Sequence, residues 1–103
     1  MTVVAKKPNP IVIEKEMAVT HRDFFRTLPQ ALGTKAYRKR GAKVTLADGD
    51  KRLEIALGPE GERKIANLTI PATRVTLTFS GYSDAEAAAA LKLFERMFQK
   101  GGG

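Results

Sequence analysis

The chain has one histidine, His21, and it follows Thr20 in a stretch that reads as the start of a helix. An imidazole at a first helical position lies beside the positive end of the helix dipole, which disfavours the protonated ring and leaves it free to act as a base. No nucleophile or carboxylate is fixed near it by spacing, so an ordinary helix-start residue is expected. Glu14 and Glu16 are a second pair with chemical capacity. Two residues apart on a strand, they stand on one face about 7 Å from each other. Glycoside or metal chemistry can use such a pair, but ion pairing to Arg74 or to a neighbouring strand accounts for both. Lys15, between them, falls in the apolar register. Its stem can cover the core while the ammonium reaches water at a sheet edge, or a bulge can reorient it; a buried ligand-holding or catalytic amine is the alternative.

The densest chemical feature is positive. Lys35, Arg38, Lys39, Arg40 and Lys43 lie within nine residues, around Tyr37, with no acidic residue among them. They read as a basic loop suited to an anionic partner, either an acidic protein surface or nucleic acid, and are the candidate contacts. The whole chain agrees in sign, with 18 Lys and Arg against 11 Asp and Glu, a formal charge of +7. A surplus of that size favours anionic partners without naming one.

Several chemistries are absent from the sequence. With no cysteine there are no disulfides, thiolates or sulfur-bound metals. No Ser-His-Asp order, phosphate-binding loop, Gly-x-Gly-x-x-Gly or HExxH pattern occurs. No catalytic residue, metal ligand or cofactor is therefore assigned, and a small non-enzymatic binding or adaptor domain is expected. The competing expectation is a small-molecule binder or enzyme using a pocket between sheet and helices, lined by Phe24, Phe25 and Phe94. No apolar run approaches the ~20 residues of a bilayer span, and Val3-Val4-Ala5 is too short for a signal-peptide core. A cytoplasmic protein is the expectation, with no membrane partner and no signal for an oligomeric state.

The elements that position these residues follow from periodicity. In Arg74 to Ser80 apolar and polar residues alternate, placing Val75, Leu77 and Phe79 on one face of a strand. Ser83-Asp84-Ala85-Glu86 has the pattern of a reciprocal helix cap. The helix it opens carries Ala87, Leu91, Phe94 and Phe98, flanked by Ala90, Leu93 and Met97, as one stripe. Ile11 to Val19 alternates likewise. Thr20 caps a first helix with Asp23 at the third position and Val19 against Phe24 as a staple. Phe24, Phe25, Leu28 and Leu32 form its inner face, Pro29 is expected to kink or end it, and Gly33 closes it.

Further along, Lys43 to Ala47 and Leu53 to Leu57 form a hairpin around Asp48-Gly49-Asp50. Gly58-Pro59-Glu60-Gly61 reads as a second turn, Ala66 to Ile70 as a short strand, and Pro71-Ala72-Thr73 as a third turn. Ile65 falls on the wrong parity. The result is an α+β fold of order β-α-β-β-β-β-α: a single antiparallel sheet of about five strands with two helices packed on one face. The first strand can pair with the last or the second. Residues 11–100 form the domain, 1–10 a flexible basic tail and 101–103 a disordered glycine end. This order of elements is similar to one repeat of the TATA-binding-protein fold and, in part, to helix-grip folds that hold lipids and small molecules, a likeness that implies architecture alone. The open sheet face carries Glu14, Glu16, Thr45, Arg52, Glu54, Arg63, Asn67, Thr69, Arg74, Thr76, Thr78 and Ser80. It has no aromatic residue, which counts against a base-stacking platform for RNA.

Overall fold

A computed structural model describes residues 10–100; the expected tail ahead of Pro10 and the glycine end lie outside the described residues. The elements are β1 (Ile11–Met17), α1 (His21–Leu32), β2 (Arg38–Arg40), β3 (Lys43–Asp48), β4 (Lys51–Ile65), β5 (Leu68–Ser80) and α2 (Asp84–Lys100). All five strands form one antiparallel sheet in the order β1-β5-β4-β3-β2. The first strand thus pairs with the last, Ile13 standing opposite Leu77. Because β1 and β2 are the two edges, α1 carries the chain across the sheet between them.

Local chemistry sets both helix starts. The Asp23 amide donates to Thr20 Oγ1 at 3.1 Å, and Val19 and Phe24 are both buried beside it. At α2 the cap is reciprocal: the Glu86 amide donates to Ser83 Oγ at 3.1 Å while the Ser83 amide donates to Glu86 Oε1 at 2.9 Å. Pro29 does not end α1, which runs on to Leu32. It lies near the C-terminal end, and Gly33, at φ 72°, closes the helix with amides from Gly33 and Thr34 reaching the Gln30 and Pro29 carbonyls.

One core lies between sheet and helices. Val44, Leu53, Ile55, Leu57, Val75, Leu77 and Phe79 supply the sheet side; Phe24, Leu28, Ala31, Ala87, Phe94 and Phe98 supply the helix side. Leu91, Phe25 and Leu32 are only partly buried, at the margin of that core. Thr73 is the one buried polar side chain among the described residues, and its hydroxyl donates to the Val19 carbonyl at 2.7 Å. That bond offsets the cost of burying the hydroxyl and ties the segment between β1 and α1 to β5.

The strand boundaries correct three expectations. The basic segment is not wholly loop, because Arg38–Arg40 is an edge strand paired with β3 through the Gly41-Ala42 turn. The Gly58-Pro59-Glu60-Gly61 stretch does not turn. A register shift between Leu57 and Glu60 absorbs the extra backbone, and β4 continues for 15 residues. Pro71-Ala72-Thr73 does not turn either; it lies within the 13-residue β5. The chain reverses instead at Ala66-Asn67, with Ala66 at φ 55°.

Since β3 meets β4 only at 51–56 and β1 meets β5 only at 73–79, the stretch from Glu60 to Ala72 is a two-stranded ribbon with no third strand among the described residues. Proline fits there, because Pro71 has a single neighbouring strand to serve with its missing amide. Ile65, opposite Leu68 at the ribbon's end, follows the register of the open face, and both are more than half exposed, at 51% and 64%.

Candidate anion-binding face

The residues singled out in the sequence go to different places. His21 Nε2 lies 2.7 Å from the Gly58 carbonyl oxygen. A carbonyl only accepts, so this nitrogen carries the proton and donates. The ring thereby fastens the start of α1 to the bulge in β4. Glu14 faces Arg74 at 3.4 Å, and Glu16 is paired with Arg63 of the ribbon. Lys15, on the helix side of β1, reaches Glu95 of α2 in an ion pair, with about a quarter of its side chain exposed. All three charged residues of the β1 edge therefore have partners within the chain.

The β2 edge is the opposite case. Strand pleating separates its three cations by face. Lys39 goes to the helix side, where its ammonium sits 4.5 Å from the centre of the Phe25 ring, a cation–π contact. Arg38 and Arg40 go to the open side. Lys43 is directly opposite Arg40, and Thr45 opposite Arg38, in the β2–β3 ladder. Arg52 of β4 joins them across Ala47. Together with Ala36 and Glu54 these side chains border an open hollow of about 510 Å³. Its shape follows from residue size, since Ala36 and Ala47 leave a low floor between long basic side chains.

Four of the bordering residues are cations and one, Glu54, is an acid. Among the described residues the ion pairs are those of Lys15, Arg26, Lys51, Arg63 and Arg74. None of Arg38, Lys39, Arg40, Lys43 and Arg52 has one. Like charges directly across a ladder, as at Arg40 and Lys43, destabilise it by a few tenths of a kcal/mol or more. The arrangement can therefore attract and orient an anion.

Of the five residues expected to meet an anion, the fold brings Arg38, Arg40 and Lys43 together. It sends Lys39 to the other face, and Lys35, in the loop before β2, is not part of the border. Arg52 completes the group. Its signal was present in the alternation of β4, which puts Arg52 on the open face; what joins it to the cluster is the pairing of β4 with β3.

The aromatic residues between sheet and helices pack on one another. Phe24 lies 5.1 Å from Phe98 and 6.1 Å from Phe94, ring centre to ring centre, and Phe25 stands edge-on to Phe24 at 5.5 Å. Phe24 and Phe94 are buried. No three acidic or histidine side chains are grouped to hold a metal among the described residues, and no helix there is long and apolar enough to cross a membrane. The chain matches no protein-family model, and no curated protein or solved structure is detectably similar to it.

Proposed function

We propose that this is a non-enzymatic binding domain whose contact surface is the open face at β2 and β3, where Arg38, Arg40, Lys43 and Arg52 meet an anionic partner. One observation carries the reading: these four cations border a single hollow and have no ion pair among the described residues, while the cations beside β1 are all neutralised. Charge satisfied within the chain has no reason to seek a partner; this cluster does. Phe24, Phe94 and Phe98 pack on one another, and the hollow of about 300 Å³ that Phe94 and Phe98 border, with Lys15, Met17 and Glu95, opens at the β1 edge and is not enclosed between sheet and helices.

The experiment is a titration of three polyanions, a short DNA duplex, a single-stranded RNA and polyglutamate, at about 50 mM salt. At least one binds weakly, with affinity that falls steeply as salt rises, because counterion release drives such contacts. Replacing Arg38, Arg40 and Lys43 together with Ala removes most of that salt dependence. The control, Arg22 with Arg26 on the outer side of α1, leaves it unchanged. Absence of binding by all three polyanions at about 100 μM, the weak end of non-specific affinity, overturns the reading.

A further inference from the structure

The two edges of the sheet differ in a way that selects among anions. β1 presents Glu14, Lys15 and Glu16, each already paired inside the chain. β2 presents Arg38, Lys39 and Arg40, none of them ion-paired among the described residues, and it is the last strand of the sheet, with no described strand on its outer side. Its charges lie on both faces, Arg38 and Arg40 on the open side and Lys39 on the helix side over Phe25. A nucleic-acid backbone resting on the open face reaches the first two and not the third. It would also find no aromatic side chain there on which to stack a base.

An extended polypeptide added to the edge meets all three. In an antiparallel pair, residues directly opposite lie about 5 Å apart and alternate between faces, so three successive acidic residues stand across from Arg38, Lys39 and Arg40, one cation each. The main chain of the added strand takes up the β2 amides and carbonyls that point away from β3. Lys and Arg on an edge repel a second basic strand, so the same residues that disfavour pairing with another β2 edge admit an acidic strand. The Arg40–Lys43 opposition acts in the same direction, because an acid beside Arg40 offsets it.

We infer that the β2 edge accepts an acidic peptide segment by strand addition, with consecutive carboxylates paired to Arg38, Lys39 and Arg40. This rests on the proposed anionic partner and narrows it to a protein. β2 is short, so charge supplies most of the affinity and the ladder supplies orientation.

The test uses a capped octapeptide with three consecutive glutamates flanked by valine and threonine, followed by amide NMR and hydrogen exchange on the intact protein. Three comparison probes are the same peptide N-methylated at alternate residues to block its ladder, a peptide of equal charge with the glutamates scattered, and a short DNA duplex. The expected result is slowed exchange at the outward β2 amides. Affinity for the N-methylated and scattered peptides is at least about tenfold weaker, and Lys39→Glu lowers binding of the first peptide by about tenfold, a difference of about 1.4 kcal/mol. Equal binding of the parent and N-methylated peptides overturns strand addition while leaving a charge-only partner in place. Binding of DNA alone does the same and assigns the partner to nucleic acid. If neither peptide nor DNA binds, the inference falls, and the reading it rests on falls with it when single-stranded RNA and polyglutamate also fail to bind. The fold of each variant is checked by its amide spectrum, and Lys39→Gln, which removes the charge without reversing it, gives an intermediate loss.

Discussion

Gly81 and Asp50 approach so closely that a β-carbon built on the glycine would lie 2.1 Å from the aspartate's carbonyl oxygen. Gly81 is also at φ 77°, a left-handed conformation that other residues resist. The contact fixes the corner where β5 leaves the sheet toward α2 against the turn that opens β4. Gly81→Ala is expected to cost upwards of about 2 kcal/mol, because the backbone strain and the clash with main chain add. A urea titration that gives a loss of unfolding free energy below about 0.5 kcal/mol would show that the corner opens freely.

The core makes a graded prediction within one helix. Phe94 is 1% exposed and packs on Phe24 and Phe98, whereas Leu91 is only partly buried at the margin. Phe94→Ala should cost about 3 to 5 kcal/mol and Leu91→Ala clearly less, about 1 to 2 kcal/mol, since a smaller side chain partly in water leaves a smaller cavity. Equal losses in chemical denaturation would place the helix in a different rotation about its axis.

Helix positions were legible because their signals are local: Thr20 and Asp23, Ser83 and Glu86 lie within one turn of each other. So was the alternation that chose Val75, Leu77 and Phe79 for the core. The path of the chain between Leu57 and Arg74 was not. Gly58-Pro59 and Pro71 have stronger turn chemistry than Ala66-Asn67, yet the pairing of β4 with β5 over twelve residue pairs outweighs it. Gly58 and Pro59 become a bulge, and Pro71 falls where only one neighbour needs its backbone. Likewise three successive cations carry no strand signal of their own. Arg38 to Arg40 become a strand because the turn at Gly41 folds them back on β3, and the cluster with Arg52 exists only once β3 and β4 are paired.

Glu86 makes stability depend on acid. The Ser83 amide bonded to its carboxylate, with Lys51 at 3.3 Å, holds its pKa below the ordinary value of 4.5. A carboxyl with a lowered folded-state pKa stabilises fully above the unfolded value, and that contribution is lost as pH falls through the folded one. The difference in thermal midpoint between wild type and Glu86→Gln should therefore be constant down to about pH 5 and shrink below about 4.5. A difference that stays level into strong acid would mean that the charge of the cap is irrelevant and only its hydrogen bond matters.

Ala66 holds a left-handed φ of 55° at the tip of the ribbon, where glycine would sit without strain. Ala66→Gly is expected to stabilise the tip by about 0.5 to 1 kcal/mol, net of the entropy that glycine loses on folding. Slower amide exchange at Ile65 and Leu68 would report it; faster exchange would contradict it.

The ribbon from Glu60 to Ala72 also bears on how the protein melts. Its backbone bonds are made only between its own two strands, and its side chains are largely in water, so opening it exposes little that was hidden. Such a segment frays on its own while the sheet and helices hold, in the manner of a unit at the low end of the stability range. Denaturant sensitivity scales with the surface newly exposed on unfolding, and the protein will accordingly respond to urea as a shorter chain than its 103 residues suggest.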